Sequence, residues 1–305
     1  MNKYFILLLL AVLLQGCAAT VEQSGEYYQR GAYKSPFNEP GFRKEAESSD
    51  PFMKVAFRRY DNAEYDDAFR WFHKSAVQEN PYAQCVTGYF YTMGEGVKQD
   101  WNHALKWYKK SAEQGDYIAQ YNLGYIYTEG DKIGRSQEAE REFSVGRIVF
   151  GGDNKKILKK NLAKAETWYL KSAESKYAPA ENKIAYLWAN QGKNLDRALV
   201  FAREAVALAP KNGEFADTLG WVLYKRGEYK EAAAEMERAL KLLPGEPIFQ
   251  DHLGDICLKL GENEKALQLW TSALSTKDAE LAAVIRAKIS AFKESLPPVT
   301  KTPEK

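Results

Sequence analysis

A 36-residue echo constrains this chain more than any other feature. Ala68-Phe69-Arg70-Trp71-Phe72-His73-Lys74-Ser75-Ala76 returns as Ala104-Leu105-Lys106-Trp107-Tyr108-Lys109-Lys110-Ser111-Ala112. Gly88-Tyr89-Phe90-Tyr91 returns at the same offset as Gly124-Tyr125-Ile126-Tyr127. A period of about 30–40 residues marks a supersecondary unit that cannot bury its apolar face alone, so successive units must stack. The period therefore predicts an array of helix pairs. The 305 residues show no composition break that would divide them into two globular domains.

Apolar spacing and capping signals give the pairs. Asp50-Pro51 reads as an N-cap followed by proline in the first turn. Helices are expected over 52–60 and 65–78, 82–93 and 102–114, 117–129 and 162–175, 178–190 and 196–208, 214–226 and 229–243, and 248–260 and 264–275. Close crossing of two helices requires a small side chain at a fixed place in each unit. Gly88, Gly124, Ala185, Gly220 and Gly254 fill that place on first helices, and Ala68, Ala104, Ala165, Ala198, Ala232 and Ala266 on second ones. Residues 277–295 read as a terminal capping helix, and 296–305, with three prolines, as a disordered tail.

Ahead of the array, residues 1–16 pair a basic start at Lys3 with an apolar run too short to span a bilayer, the pattern of a signal peptide. Leu14-Gln15-Gly16-Cys17 resembles the bacterial lipobox. That resemblance implies lipidation of Cys17, and the absence of aspartate at Ala18 and Ala19 implies the periplasmic face of the outer membrane. More than one lipid chain gives stable anchoring. Residues 17–49 read as the lipidated cysteine and a flexible tether carrying Pro36 and Pro40.

Two repeat families are legible. Gly94-Glu95-Gly96-Val97 followed by Asp100, and Ala119-Gln120-Tyr121-Asn122-Leu123-Gly124, resemble the Sel-one-like repeat (SLR) family and assign it residues 50–175. The later spacing of 34 residues (Ala198, Ala232, Ala266; Pro210, Pro244) with Asp217-Thr218-Leu219-Gly220-Trp221 resembles the tetratricopeptide (TPR) family over 176–276. The resemblance implies an all-α, right-handed superhelical solenoid of antiparallel helix pairs, about six repeats with a C-terminal cap. An insertion within 131–160 stretches the Trp107-to-Trp168 spacing to 61 positions, 25 more than the period. A helix at 136–149 is expected inside it, followed by Gly151-Gly152 and Lys155, Lys156, Lys159 and Lys160. Such insertions are either functional projections or tolerated surface elaborations.

Composition excludes several classes. A formal net charge of +2 provides no basic stripe for nucleic acid. The glycines at 146, 151 and 152 precede no Lys-Ser/Thr, so they make no phosphate loop. His73, His103 and His252 lack metal-ligand spacing, and no nucleophile elbow or Cys/His pairing is present. No enzyme, cofactor or metal is expected. Cys257 reads as core, Cys85 as a small apolar residue on a helix face, and the two sit too many repeats apart for a disulfide.

By resemblance, first helices line a concave groove, and the residue after the small crossing position points into it. Those residues are Phe57, Tyr89, Tyr125, Tyr186 and Trp221, with Asp255 departing in the sixth repeat. They form either an aromatic ladder that anchors a partner or packing between successive first helices. Tyr121, Asn182, Asp217, Lys225 and Asp251 are candidate orienting groups. The expected function is a non-catalytic adaptor lipoprotein in envelope assembly, secretion or polysaccharide export, holding an envelope protein or peptide in its groove. A peptidoglycan- or carbohydrate-binding module is the alternative, since rings also stack on sugars. An envelope hydrolase ranks last.

Overall fold

The computed structural model describes residues 34–144 and 160–295, with 131–144 described by backbone alone. The expected signal peptide at 1–16, Cys17, the expected tether up to residue 33, the glycines and lysines of 145–159 and the expected tail at 296–305 lie outside the described residues. Among the described residues there are fourteen α-helices, one short 3-10 helix and no strand. The all-helical, helix-pair architecture is the one the period requires. The chain divides into two compact units, Met1–Ala180 and Glu181–Lys305.

In the first unit the pairs are α2 (Pro51–Asp61) with α3 (Tyr65–Val77), α4 (Pro81–Met93) with α5 (Trp101–Glu113), and α6 (Tyr117–Ser144) with α7 (Leu162–Glu174). Side-chain caps start them. The Asp50 carboxylate accepts the Phe52 N–H at 2.8 Å, Asn80 Oδ1 that of Ala83 at 3.0 Å, and Asn161 Oδ1 that of Lys164 at 3.0 Å. Each such cap contributes about 1 kcal/mol. Cross-ties then fix the pairs: Ser111 Oγ donates to the Pro81 carbonyl at 2.8 Å, and Ser172 Oγ to that of Tyr117 at 2.7 Å. The glycines at the crossings are sterically required. A Cβ on Gly88 would lie 2.9 Å from the Tyr108 ring, and one on Gly124 would lie 2.6 Å from Tyr169. Gly96 turns the loop after α4 at φ +61°, where a Cβ would sit 2.2 Å from the Tyr65 carbonyl oxygen.

The insertion leaves this geometry intact. After α4, residues 94–99 form a short excursion that closes when Asp100 N–H donates to Tyr91 O at 2.9 Å. In the next repeat the chain leaves after Tyr127, the counterpart of Tyr91, and returns when Asn161 N–H donates to Tyr127 O at 2.8 Å. The 25 extra residues thus enter between two points that one hydrogen bond holds together. One expectation needs correction. The helix read as ending near Gly130, with a separate helix at 136–149, is one continuous α6 running to Ser144. A single helical glycine costs about 1 kcal/mol relative to alanine, too little to stop a helix whose first turns are anchored in the core.

The tether needs a larger correction. Residues 34–49 are folded: a 3-10 turn at Pro36–Asn38 leads through Gly41 into α1 (Phe42–Ser49). Both α1 and the turn pack on α4. Phe42 and Ala46, one helical turn apart, are buried, and Phe42 meets the Tyr82 ring edge-on at 5.4 Å. Arg43 forks onto Asp61 at 3.0 and 2.7 Å, Tyr82 OH donates to Glu45 at 3.1 Å, and Asn80 Nδ2 donates to Ser49 Oγ at 2.8 Å.

The second unit continues the pattern with α8 (Ala178–Gln191), which begins at the junction, and α9 (Leu195–Leu208). The pairs α10 (Gly213–Arg226) with α11 (Tyr229–Leu242) and α12 (Pro247–Leu260) with α13 (Asn263–Ala273) follow. Trp188 packs on Phe201 at 5.8 Å between α8 and α9. The last helix, α14 (Ala279–Ser295), is capped by Asp278, which accepts the Glu280 N–H at 2.8 Å.

Candidate functional site

Side chains of α2, α3, α4 and α6, with Tyr177 from the turn after α7, hold the 34–41 stretch. On α6, Asn122 is buried, and its side-chain amide reads the backbone of Lys34 on both sides. Lys34 N–H donates to Asn122 Oδ1 at 3.0 Å, and Asn122 Nδ2 donates to the Lys34 carbonyl at 3.1 Å. Three residues on, Phe37 enters a cage of rings. It stacks on Tyr60 at 4.0 Å and 3°, and meets Phe57, Tyr89, Phe72 and Phe90 at angles of 64–87° and 5.7–6.2 Å. Such contacts add about 0.5–1.5 kcal/mol each beyond area burial. Glu39 then accepts a hydrogen bond from Tyr177 OH at 2.5 Å. Burial and the Glu39 carboxylate together push the Tyr177 phenol far above its ordinary range.

The five aromatic positions read from the repeat fall as follows. Phe57 is fully buried beneath Phe37 and also touches Phe72 at 5.2 Å, while the Arg43 guanidinium lies 4.9 Å over its ring. Tyr89 is nearly buried against Phe37. Tyr125 is half-buried, and that burial raises its phenol, with Glu129 adding to the effect. In the second unit Tyr186 is half-buried, 6.4 Å from the His252 ring. Trp221 is buried and stacks on His252 at 4.1 Å and 17°, and on Tyr224 at 5.0 Å and 18°. Its Nε1 donates to Asn190 at 2.8 Å, and Lys225 Nζ sits 4.7 Å over the ring. The structure thus brings Phe57 and Tyr89 together around Phe37, and Tyr186 and Trp221 together around His252.

Of the orienting groups, Tyr121 is buried between Tyr169 and Tyr177, and Asn182 is buried. Asp217 holds His252 Nδ1 at 2.8 Å, both side chains being 6% exposed. Asp251 and Asp255 clamp Lys288 of α14 at 2.8 and 2.9 Å. Sequence reading missed Phe37, Asn122, Tyr177 and the pairing of His252. A usable signal was present for one of them: Asn122 lies inside the SLR motif, two positions before its glycine.

A half-buried acid shapes the electrostatics of the first unit. Asp116, at the α5–α6 turn, accepts the Ala119 N–H at 2.7 Å, yet burial pushes its carboxyl up to about 6. Burial also raises the Cys85 thiol well above its usual value, with Asp116 adding to the shift. Cys85 and Cys257 are both buried free thiols. Among the described residues no group of three His, Cys, Asp or Glu is placed to hold a metal, and no helix is long and apolar enough to cross a membrane.

These helix pairs, with a glycine crossing in most first helices and a gripped segment along them, define a helix-pair repeat protein whose fold class generally serves as a protein–protein interaction scaffold. More specifically, residues 62–79, 81–116, 118–139 and 142–177 match the Sel1 repeat, and 213–246 match the tetratricopeptide repeat. A solved Sel1 repeat protein from Oxalobacter formigenes is 25% identical, with 82% of this chain and 91% of that one aligned at a TM-score of 0.53. A protective antigen of uropathogenic Escherichia coli with an SLR fold is 21% identical over 84% of this chain and 60% of that one, at a TM-score of 0.44. A TPR repeat-containing protein of Methanocaldococcus jannaschii is 32% identical over 127 residues, 41% of this chain. The match spans only 22% of that relative's length.

Proposed function

We propose that this chain is a lipid-anchored adaptor at the periplasmic face of the outer membrane, binding peptide segments of envelope proteins along the first helices of its Sel1 repeats. It has no catalytic role in this reading. The observation that carries it is the Asn122 grip on Lys34, since a side-chain amide that pairs with backbone N–H and C=O together recognises peptide as such. The lipobox-like Leu14-Gln15-Gly16-Cys17 supports the anchor. The glycan-binding alternative loses ground, because Phe57 has no exposed ring face and both neighbours of Trp221 are rings of its own unit.

Two measurements test this reading. Cys17→Ser should move the protein from the membrane to the soluble periplasmic fraction, and retention in the membrane would remove the anchor. Crosslinking in intact envelopes should trap a protein partner through the first-helix face, with trapping reduced at least tenfold in Asn122→Ala. Undiminished trapping by that variant, or retention of the purified protein on peptidoglycan instead, would count against the adaptor.

A further inference from the structure

We propose that residues 34–40 are a built-in, displaceable occupant of the Sel1-repeat face, and that the external ligand is a partner peptide carrying the same chemistry. That chemistry is an extended backbone, then an aromatic residue two positions before an acidic one. The inference rests on the peptide-binding reading above and specifies its partner.

Three features of the site define the ligand. Asn122 reads one residue's backbone on both sides, which any peptide satisfies. The cage of Tyr60, Phe57, Phe72, Tyr89 and Phe90 requires a flat ring, because Phe37 lies parallel to Tyr60 while the others present edges. The OH of Tyr177, a residue 7% exposed, donates to a carboxylate two residues after the ring. A peptide that lacks any of the three leaves a buried group without its partner.

Two further features make the occupant separable from the fold. The side-chain contacts that hold α1 run from Phe42 to Ser49 and reach Tyr82, Asp61 and Asn80, outside residues 34–40; the stretch itself touches α1 through the 36–38 turn and one backbone hydrogen bond, from Phe42 N–H to the Glu39 carbonyl at 3.3 Å. Between the two parts stands Gly41, at φ +82° with no side-chain cap on α1, so rotation there swings 34–40 away at the cost of the Phe42–Glu39 backbone bond and the turn's packing, while the side-chain ties of α1 stay in place. Asn122 is fully buried, and an unfilled site would leave its amide orphaned beside an open aromatic cage. Departure is therefore favourable only as exchange for another peptide. A segment tethered this closely has an effective concentration of about millimolar, so it sets a threshold that weak ligands do not pass.

The test uses the full-length protein and a fluorescein-labelled peptide with the sequence of residues 34–41, Lys-Ser-Pro-Phe-Asn-Glu-Pro-Gly. The wild-type protein should bind it weakly. Phe37→Ala in the protein, which weakens the internal competitor, should tighten binding at least tenfold by fluorescence anisotropy. Adding Asn122→Ala or Tyr177→Phe to that variant should reverse the gain, and a probe with Ala at its Phe position should not bind. Circular dichroism melting of each variant separates loss of fold from loss of site. As a second route, Glu39→Gln leaves the cage untouched and should tighten probe binding a few-fold.

No binding by a folded Phe37→Ala protein up to millimolar probe would overturn the proposal, as would binding indifferent to Asn122→Ala. A concentration-dependent dimer that disappears in Phe37→Ala would also overturn it, by making the occupant a second copy's segment. Probe binding without any crosslinked envelope partner would leave this inference standing and remove the adaptor reading.

Discussion

The two units treat the same repeat face in opposite ways. In the first, α2, α3, α4 and α6 present a cage and an amide that are completed by a stretch of chain from outside the helix pairs, with Phe37 and Lys34 as its contacts. In the second, the equivalent positions complete themselves: His252 of α12 fills the space beside Trp221 of α10, and Asp217 holds the imidazole. At the end of that unit Lys288 of α14 closes Asp251 and Asp255. The same period thus yields one face built to be occupied and one built to be shut. Rings from neighbouring repeats can stack on one another, and whether they do depends on whether a residue such as His252 bridges them.

The largest test breaks the shut face. His252→Ala removes the stack on Trp221 and leaves the buried Asp217 carboxylate unpaired, which should cost about 3 kcal/mol. Hydrogen exchange should show protection lost in α10 and α12 while the α2–α7 amides keep theirs. Equal loss in both regions would deny the second unit its independent closure.

Next in size is a pH response belonging to the scaffold of the first unit and not to its occupant. The folded Asp116 carboxyl holds its proton up to about pH 6, against 3.8 for the free side chain. The folded state therefore binds the proton more tightly than the unfolded chain. Its contribution is full below about pH 4 and fades as pH rises through 6, by roughly 3 kcal/mol at most. Denaturant titrations from pH 4 to 7 should show that slope, and Asp116→Asn, which keeps the cap to Ala119, should flatten it. Phe37→Ala should leave the slope in place.

A smaller effect attends the terminal helix. Lys288→Met leaves Asp251 and Asp255 facing each other without a cation, at a cost of roughly 2 kcal/mol at neutral pH. Exchange in α14 should rise first, and acidification should recover part of the loss as Asp255, already raised by burial, takes a proton. Smallest is Tyr177→Phe, which removes the hydrogen bond to Glu39 and should cost about 1 kcal/mol. Its signature is local: faster exchange over 36–42 with no change in the second unit.

The period, the crossing residues and the caps were legible because each depends on neighbours within one repeat. Gly88 and Gly124 announce the close approach of Tyr108 and Tyr169, and Asp50 announces α2. The size of the insertion was legible for the same reason. The fold of residues 34–49 was not. Phe-Arg-Lys-Glu-Ala-Glu-Ser-Ser contains a single apolar i,i+4 pair, and Pro36 with Pro40 reads as an extended linker. Its structure comes from Tyr82, Asp61 and Asn122, up to 88 positions away, which no local pattern displays. The Trp221–His252 stack escaped for the same reason, since its partners belong to different repeats. Gly130 misled differently: it is a stop signal by type, but α6 passes through it.

The hydrogen bond from Asn161 to the Tyr127 carbonyl has a consequence for how such a chain can change. It makes the span between those residues a socket whose two terminals stay fixed whatever is plugged between them. Closing a flexible loop costs only about 0.6 kcal/mol more for each doubling of its length. A lineage, or an engineer, can therefore exchange the module at this socket for a longer or shorter one without retuning the helix pairs on either side.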